Sequence, residues 1–129
     1  MNLGESLEDY LECLLILEKR GKIRSVEVAK MMNVTKPSVN NAMKVLKEKG
    51  YVIQESYKDI QLTEKGRQLA KAVFERHQIL TAFLKDVLLV KEETAEDDAC
   101  KIEHVISEET FDKLSLFYKQ YIHKTKGAE

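Results

Sequence analysis

Asn33-Val34-Thr35-Lys36-Pro37-Ser38-Val39-Asn40-Asn41-Ala42-Met43-Lys44-Val45-Leu46-Lys47-Glu48-Lys49-Gly50 is the stretch on which the fold turns. Thr35 stands where a helix N-cap belongs, and Pro37 falls in the first turn, where its missing N–H costs nothing. The spacing predicts a helix from Lys36 to about Lys49, with Val39, Ala42, Met43 and Leu46 on its buried face and Gly50 as its stop. The opposite face offers Lys36, Ser38, Asn40, Asn41, Lys44 and Lys47. Amides and hydroxyls can pair with base edges and lysines with phosphates, and the open helix N-terminus at Lys36 to Ser38 can receive a phosphate. A solvated helix face is the bland alternative.

The flanking sequence fits the same picture. A helix from about Glu5 to Arg20 is predicted, with Ser6 as N-cap, Gly21 as stop and Leu7, Tyr10, Leu11, Leu14 and Leu15 on one stripe. A short helix follows, from about Ser25 to Met32, with Val26, Val28, Ala29 and Met32 available for a core, and Asn33-Val34 is the turn. After Gly50, the β-prone runs Tyr51–Glu55 and Ile60–Thr63 flank a polar turn and read as a hairpin, with Lys58 at its tip. Helix, tight turn, helix, hairpin is a winged helix-turn-helix, and the candidate DNA contacts are Thr35, Lys36, Pro37, Ser38, Asn40, Asn41, Lys44 and Lys58.

Downstream, Thr63 caps a predicted helix from Glu64 to about Val90, Thr94 opens another to about Ile106, and Ser107 a last one to about His123. That last helix carries Phe111, Leu114, Phe117, Tyr118, Tyr121 and Ile122, a partner surface or ordinary core. The fold class is therefore mainly α, a winged helix-turn-helix domain followed by an all-helical one.

Charge is divided along the 129 residues. Residues 19–71 hold thirteen Lys/Arg and five Asp/Glu, a balance of 13 − 5 = +8, and the remainder holds eight and seventeen, 8 − 17 = −9. A basic segment joined to acidic ones suits a chain that meets a polyanion with one part and a cation with another. The apolar run Leu14-Leu15-Ile16-Leu17 is far short of the ~18 residues of a membrane span, and the N-terminus has no signal-peptide pattern. Two cysteines, Cys13 and Cys100, make no disulfide framework, so a cytoplasmic chain with reduced thiols is expected.

Cys100-Lys101-Ile102-Glu103-His104 places a thiolate, a carboxylate and an imidazole at i, i+3 and i+4, on one side of a helix. Such a mixed set suits a first-row divalent ion better than Ca²⁺ or Mg²⁺. Three ligands leave an ion incomplete. Asp9 and Glu12, at i and i+3 on the first helix, and His77 are further sources, each with an everyday alternative as cap, surface charge or structural histidine. Cys13 reads better as a small buried hydrophobe, His123 as exposed, and Glu96 and Glu108 as outer or solvent-facing groups.

Glu8-Asp9-Tyr10-Leu11-Glu12, Val34-Thr35-Lys36-Pro37-Ser38-Val39, Leu62-Thr63-Glu64-Lys65-Gly66, Arg76-His77 and Asp98-Ala99-Cys100-Lys101-Ile102-Glu103-His104-Val105-Ile106-Ser107 carry a resemblance across the whole chain. It resembles the diphtheria-toxin-repressor and manganese-transport-regulator family of metal-dependent transcriptional repressors. The resemblance implies a winged-helix domain at 1–71, a helical metal-binding and dimerisation domain at 72–129, and a binuclear metal site between them. By position the ligands would be Asp9, Glu12, His77, Cys100, Glu103 and His104. Asp9 and Glu12 match the manganese branch, where the iron branch has methionine for the aspartate; Cys100 looks like the iron branch and some streptococcal-type manganese regulators. The SH3-like third domain of the iron branch has no counterpart up to Glu129. Mn(II) is thus the first cofactor, Fe(II) the second, with Zn(II) or Co(II) possible.

Four anionic ligands sum to −4, which two divalent ions would cancel. The expected function is metal-gated operator binding by a homodimer whose recognition helices reach major grooves roughly 34 Å apart, controlling metal-uptake genes. No enzymatic activity, membrane or small-molecule substrate is expected: no pocket signature accompanies the ligands. The alternatives are an iron-responsive repressor of the same family and a metal-independent winged-helix regulator sensing thiol oxidation through Cys13 and Cys100.

Overall fold

The computed structural model describes residues 5–55 and 59–127. It divides into two compact units, Met1–Val73 and Phe74–Glu129.

In the first unit, α1 (Glu5–Arg20) buries Tyr10, Leu11, Cys13, Leu14, Leu15 and Leu17. The helix already includes Glu5, so Ser6 lies inside its first turn and is not the cap expected of it. Gly21 ends the helix at φ +136°, a conformation that L side chains rarely adopt. α2 (Ser25–Met32) buries Val28 fully, whereas Val26, expected in the core, is 52% exposed. On an eight-residue helix these two positions lie about 200° apart, so only one can face the core. Asn33 then takes the left-handed conformation at φ 56°, and Val34 N–H donates to the Ala29 carbonyl at 3.0 Å, closing the tight turn.

α3 (Lys36–Glu48) begins as its sequence predicts: the Thr35 hydroxyl accepts from Ser38 N–H at 3.3 Å. Its buried residues are Val39, Ala42, Met43 and Leu46. Gly50, at φ +84°, turns the chain so that Tyr51 N–H returns to the Leu46 carbonyl at 2.9 Å. The hairpin strands are short, β1 (Val52–Ile53) pairing antiparallel with β2 (Gln61–Leu62) in the register Val52↔Leu62 and Ile53↔Gln61. Val52 and Leu62 point inward together. An isolated bridge, Ile23↔Ile60, stitches the chain before α2 to the hairpin. With α2–turn–α3 and this hairpin the unit is a winged helix-turn-helix.

α4 (Glu64–Asp86) starts in the first unit and ends in the second. Thr63 caps it, accepting from Gly66 N–H at 3.0 Å and donating to the Gly50 carbonyl at 2.7 Å. Arg67 forms a two-pronged pair with Glu18 of α1, both contacts 2.9 Å, which holds the Glu18 carboxyl below the usual range.

In the second unit α4 stops at Asp86 rather than near Val90. Leu89 adopts φ 60°, and Val90 N–H donates back to the Leu84 carbonyl at 2.9 Å, so the apolar run Val87–Val90 forms a turn. α5 (Glu92–Ile102) starts before Thr94 and ends before Ile106. It buries Ala95 and Ala99 completely, and the next position on that i, i+4 stripe is Glu103. α6 (Glu108–Gly127) follows Ser107, whose hydroxyl accepts from Thr110 N–H at 3.1 Å, and runs past His123. Tyr118 donates to the Asp86 carboxylate at 2.7 Å, and Phe117 meets Phe83 edge-on with ring centroids 6.2 Å apart. Leu116, Phe117 and Tyr121 nevertheless stay exposed, and Phe111, Leu114, Tyr118 and Ile122 are half-buried, so none of the apolar residues on this helix is fully buried. Among the described residues no helix is long and apolar enough to cross a membrane.

Candidate metal centre and DNA-binding face

The outer face of α3 follows from its cap and its period. With Val39, Ala42, Met43 and Leu46 turned inward, Lys36, Pro37, Ser38, Asn40, Asn41 and Lys44 are all exposed. The Thr35 and Ser38 hydroxyls are 2.9 Å apart, so both are partly engaged in capping. Lys47 Nζ donates to the Gln54 backbone carbonyl at 3.2 Å, joining the end of α3 to the start of the hairpin. Asn40, Met43, Lys44, Lys47 and Gln54 line a shallow depression of about 250 Å³. Sequence reasoning missed Gln54; its position just after a two-residue strand carries no signal of its own. Lys58 lies outside the described residues. Nearby, Asp59 sits 3.9 Å from Lys22 and 4.0 Å from Arg24, two exposed cations ahead of α2.

The second unit draws four of the expected ligands together. Cys100, Glu103 and His104 each offer a donor atom within 4.8 Å of the others'. His77 Nδ1 lies 3.2 Å from one Glu103 oxygen and His104 Nε2 lies 3.2 Å from the other. The triplet straddles a helix end: Cys100 is in the last turn of α5, Glu103 is its C-cap, and His104 is in the turn beyond. Glu103 keeps helical angles, φ −58° and ψ −26°, so the i, i+3, i+4 geometry survives although the helix is shorter than predicted.

Burial sharpens this reading. The Glu103 side chain has no exposed area, and neither carboxylate oxygen has a hydrogen-bond partner among the described residues. A buried carboxylate left so is costly, and a cation relieves that cost directly. The neighbouring donors, a thiol and two imidazoles, are first-row metal ligands, so these residues fit a divalent transition ion. Asp9 and Glu12 are half-buried on one face of α1 in the first unit. Glu96 is exposed and 4.0 Å from His77 Nε2, and Glu108 and His123 are exposed. Cys13 is a buried apolar group, its thiol pushed up to about 11 by desolvation.

Arg76 escaped sequence reasoning except as the neighbour of His77. It is buried, at the core position three residues after Val73 and four before Leu80, and its Nη1 donates to the Glu103 carbonyl at 3.0 Å. That register on the stripe was the available signal.

The chain is similar in sequence and fold to known proteins. The iron-dependent repressor N-terminal DNA-binding domain matches residues 2–60, and the iron-dependent repressor metal-binding and dimerisation domain matches residues 63–129. The chain is 39% identical over 124 residues to a helix-turn-helix transcriptional regulator of Methanocaldococcus jannaschii, covering 95% of this chain and 99% of that one. It is 36% identical over 118 residues to the transcriptional regulator MntR of Escherichia coli O157:H7, covering 91% and 76%. Among solved structures, the manganese regulator SloR superposes with a TM-score of 0.77 at 28% identity, over 92% of this chain and 55% of that one. The metal-dependent transcriptional regulator MtsR gives 0.79 at 28% identity, over 88% and 53%. The chain thus spans about half the length of those two solved regulators.

Proposed function

Because the chain belongs to the iron-dependent repressor family, we propose that it is a metal-dependent transcriptional repressor that binds operator DNA as a cytoplasmic homodimer and does no enzymatic chemistry. The observation that carries this reading is the fully buried Glu103 carboxylate, set between two imidazole nitrogens and beside a thiol, in a chain that also exposes a lysine- and asparagine-bearing helix face.

In this reading His77, Cys100, Glu103 and His104 hold a divalent ion, and Asp9 and Glu12 of α1 complete the ligand set. The ion supplies charge neutralisation and cross-linking. The residues do the rest. Asp9 and Glu12 couple the position of α1, and with it the winged helix, to the ligands of the helical domain. Without a cation the four anionic side chains repel one another, and the DNA-competent arrangement is a minor population. The helical domain, residues 72–129, supplies the homodimer contact, and the winged helix, residues 1–71, the DNA contact. Asn40 and Asn41 read base edges, Lys36, Lys44 and Lys58 neutralise phosphates, and Thr35, Pro37 and Ser38 hold the helix N-terminus open to the backbone.

Mn(II) is the first cofactor of this proposal. Three carboxylates against one thiolate favour a hard ion, and SloR is a manganese regulator by name. Cys100 gives the second reading, Fe(II), its specific support. Zn(II) and Co(II) bind by the usual affinity order, and the tetrahedral preference of zinc fills fewer of the ligand positions. Regulation of metal-uptake genes is the matching role. The test is DNA-binding anisotropy with Mn²⁺, Fe²⁺, Zn²⁺ or chelator. A large gain in operator affinity with Mn²⁺ is expected, smaller gains with the others; equal binding in chelator would overturn the proposal.

A further inference from the structure

The ligand-bearing turn after α5 is short of helical support. Glu103 closes the helix, and beyond it His104 N–H reaches the Lys101 carbonyl only at 3.4 Å, while Val105 and Ile106 both share the Ile102 carbonyl at 3.0 and 2.9 Å. The last carbonyls of a helix have no partner within it, and Glu103's is among them. Here it is met from α4, where Arg76 Nη1 donates to it at 3.0 Å.

Arg76 is unusual in itself. Arginine is almost never buried unless paired with an anion, and this one is only 7% exposed. It donates to the Glu103 carbonyl, and its guanidinium carbon lies 5.2 Å from the ring centroid of Phe111 in α6. A cation is thus held at the negative end of the α5 dipole, within cation–π distance of an aromatic ring and bonded to the one residue whose carboxylate is the most buried of the donor set.

We infer that Arg76 is a positioning residue for the metal centre. It fixes the backbone of Glu103, and so aims the Glu103 carboxylate and the His104 imidazole that follows it into the space they share with His77 and Cys100. This rests on the reading that these side chains hold a divalent ion. Arg76 itself, as a cation, holds no metal. It acts as outer partners of ligands commonly do, setting the orientation of groups that bind.

The experiment compares Arg76→Met, Arg76→Lys and Phe111→Leu in the full chain. Mn²⁺ affinity is read from the free-ion paramagnetic resonance signal, and amide hydrogen exchange at His104, Val105 and Ile106 is read without metal. Arg76→Met should weaken Mn²⁺ binding by about tenfold or more and speed exchange in that turn before any metal is added. Arg76→Lys, which keeps one donor, should fall between it and wild type. Phe111→Leu, which spares the carbonyl bond, should stay within a few-fold of wild type. If Arg76→Met binds Mn²⁺ as wild type does, if Arg76→Lys is no better than Arg76→Met, or if Phe111→Leu matches the Met variant, the assignment is overturned. Should Arg76→Met give no folded chain by circular dichroism, the other two decide. Faster exchange in Arg76→Lys and not in Phe111→Leu supports the inference, and the reverse overturns it. A wild-type chain that binds no divalent ion sinks the metal reading instead, so the two failures are distinguishable.

Discussion

Gly66→Ala sets two effects of opposite sign against each other. Gly66 is the third residue of α4, and alanine in place of glycine ordinarily stabilises a helix by about 1 kcal/mol. Here the space is taken. A Cβ on residue 66 would stand 2.0 Å from the Tyr51 carbonyl oxygen, 2.8 Å from its carbon and 3.1 Å from its Cα, all backbone atoms. Contacts under 3.0 Å force a shift, so Tyr51 or α4 must move by at least 3.0 − 2.0 = 1.0 Å. The carbonyl in question accepts from Thr63 N–H at 3.0 Å, and the Thr63 hydroxyl bonds the Gly50 carbonyl next to it. Overpacking of this kind costs roughly 1–3 kcal/mol, and a hydrogen bond lost or stretched about 1 kcal/mol more. Against the helix gain, the net is a destabilisation of about 2 kcal/mol. With a urea slope of about 1.5 kcal/mol/M, the unfolding midpoint falls by roughly 1.3 M. Far-UV circular dichroism in urea measures it, with chelator present to exclude ligand stabilisation. A Gly66→Ala chain as stable as wild type, or more so, would mean that the close approach of Tyr51 to α4 does not hold the hairpin in solution.

Two further outcomes test the sites themselves. At pH 8 a thiol with a pKa near 11 is about one part in a thousand thiolate, so iodoacetamide should modify Cys100 and leave Cys13 untouched until the pH is raised toward 11. Mn²⁺ should protect Cys100, and peptide mass mapping that found Cys13 labelled first would contradict its burial. On α3, Asn41→Ala should erode discrimination between operator and random DNA, whereas Lys44→Ala should weaken both and lower the slope of affinity against salt by about 1. Anisotropy titrations at several salt concentrations separate the two, and identical behaviour of the variants would mean the helix face is misread.

The parts of this molecule legible in its sequence are those fixed by local chemistry. Thr35, Pro37 and Gly50 bracket α3 through a side-chain cap, a ring-locked φ and a positive φ, and all three act within a few residues of themselves. The spacing of Cys100, Glu103 and His104 is likewise local, and their donor atoms converge although the helix ends at Ile102. What sequence alone misplaced depends on distant partners. The apolar run Val87–Val90 continues the pattern of α4 on paper, yet it leaves the helix in a turn. Val26 and Val28 are equally apolar, and only the packing around α2 chooses between them. The Ile23↔Ile60 bridge is one residue pair with no alternation to announce it. Arg76 lies in core register between Val73 and Leu80, but its charge argues for the surface, and the acceptor that reconciles the two is 27 positions away.

The two fully buried alanines of α5 leave one methyl group each between that helix and its surroundings. Neither Ala95 nor Ala99 bears a donor atom, yet they set the depth at which Cys100 and Glu103 are presented. Coordination distances tolerate only about 0.2 Å, less than the width of the methylene that a longer side chain would insert. Preference among ions of different radius can therefore drift through replacements at residues that never touch an ion. Two lineages with identical ligand sets could then answer to different metals.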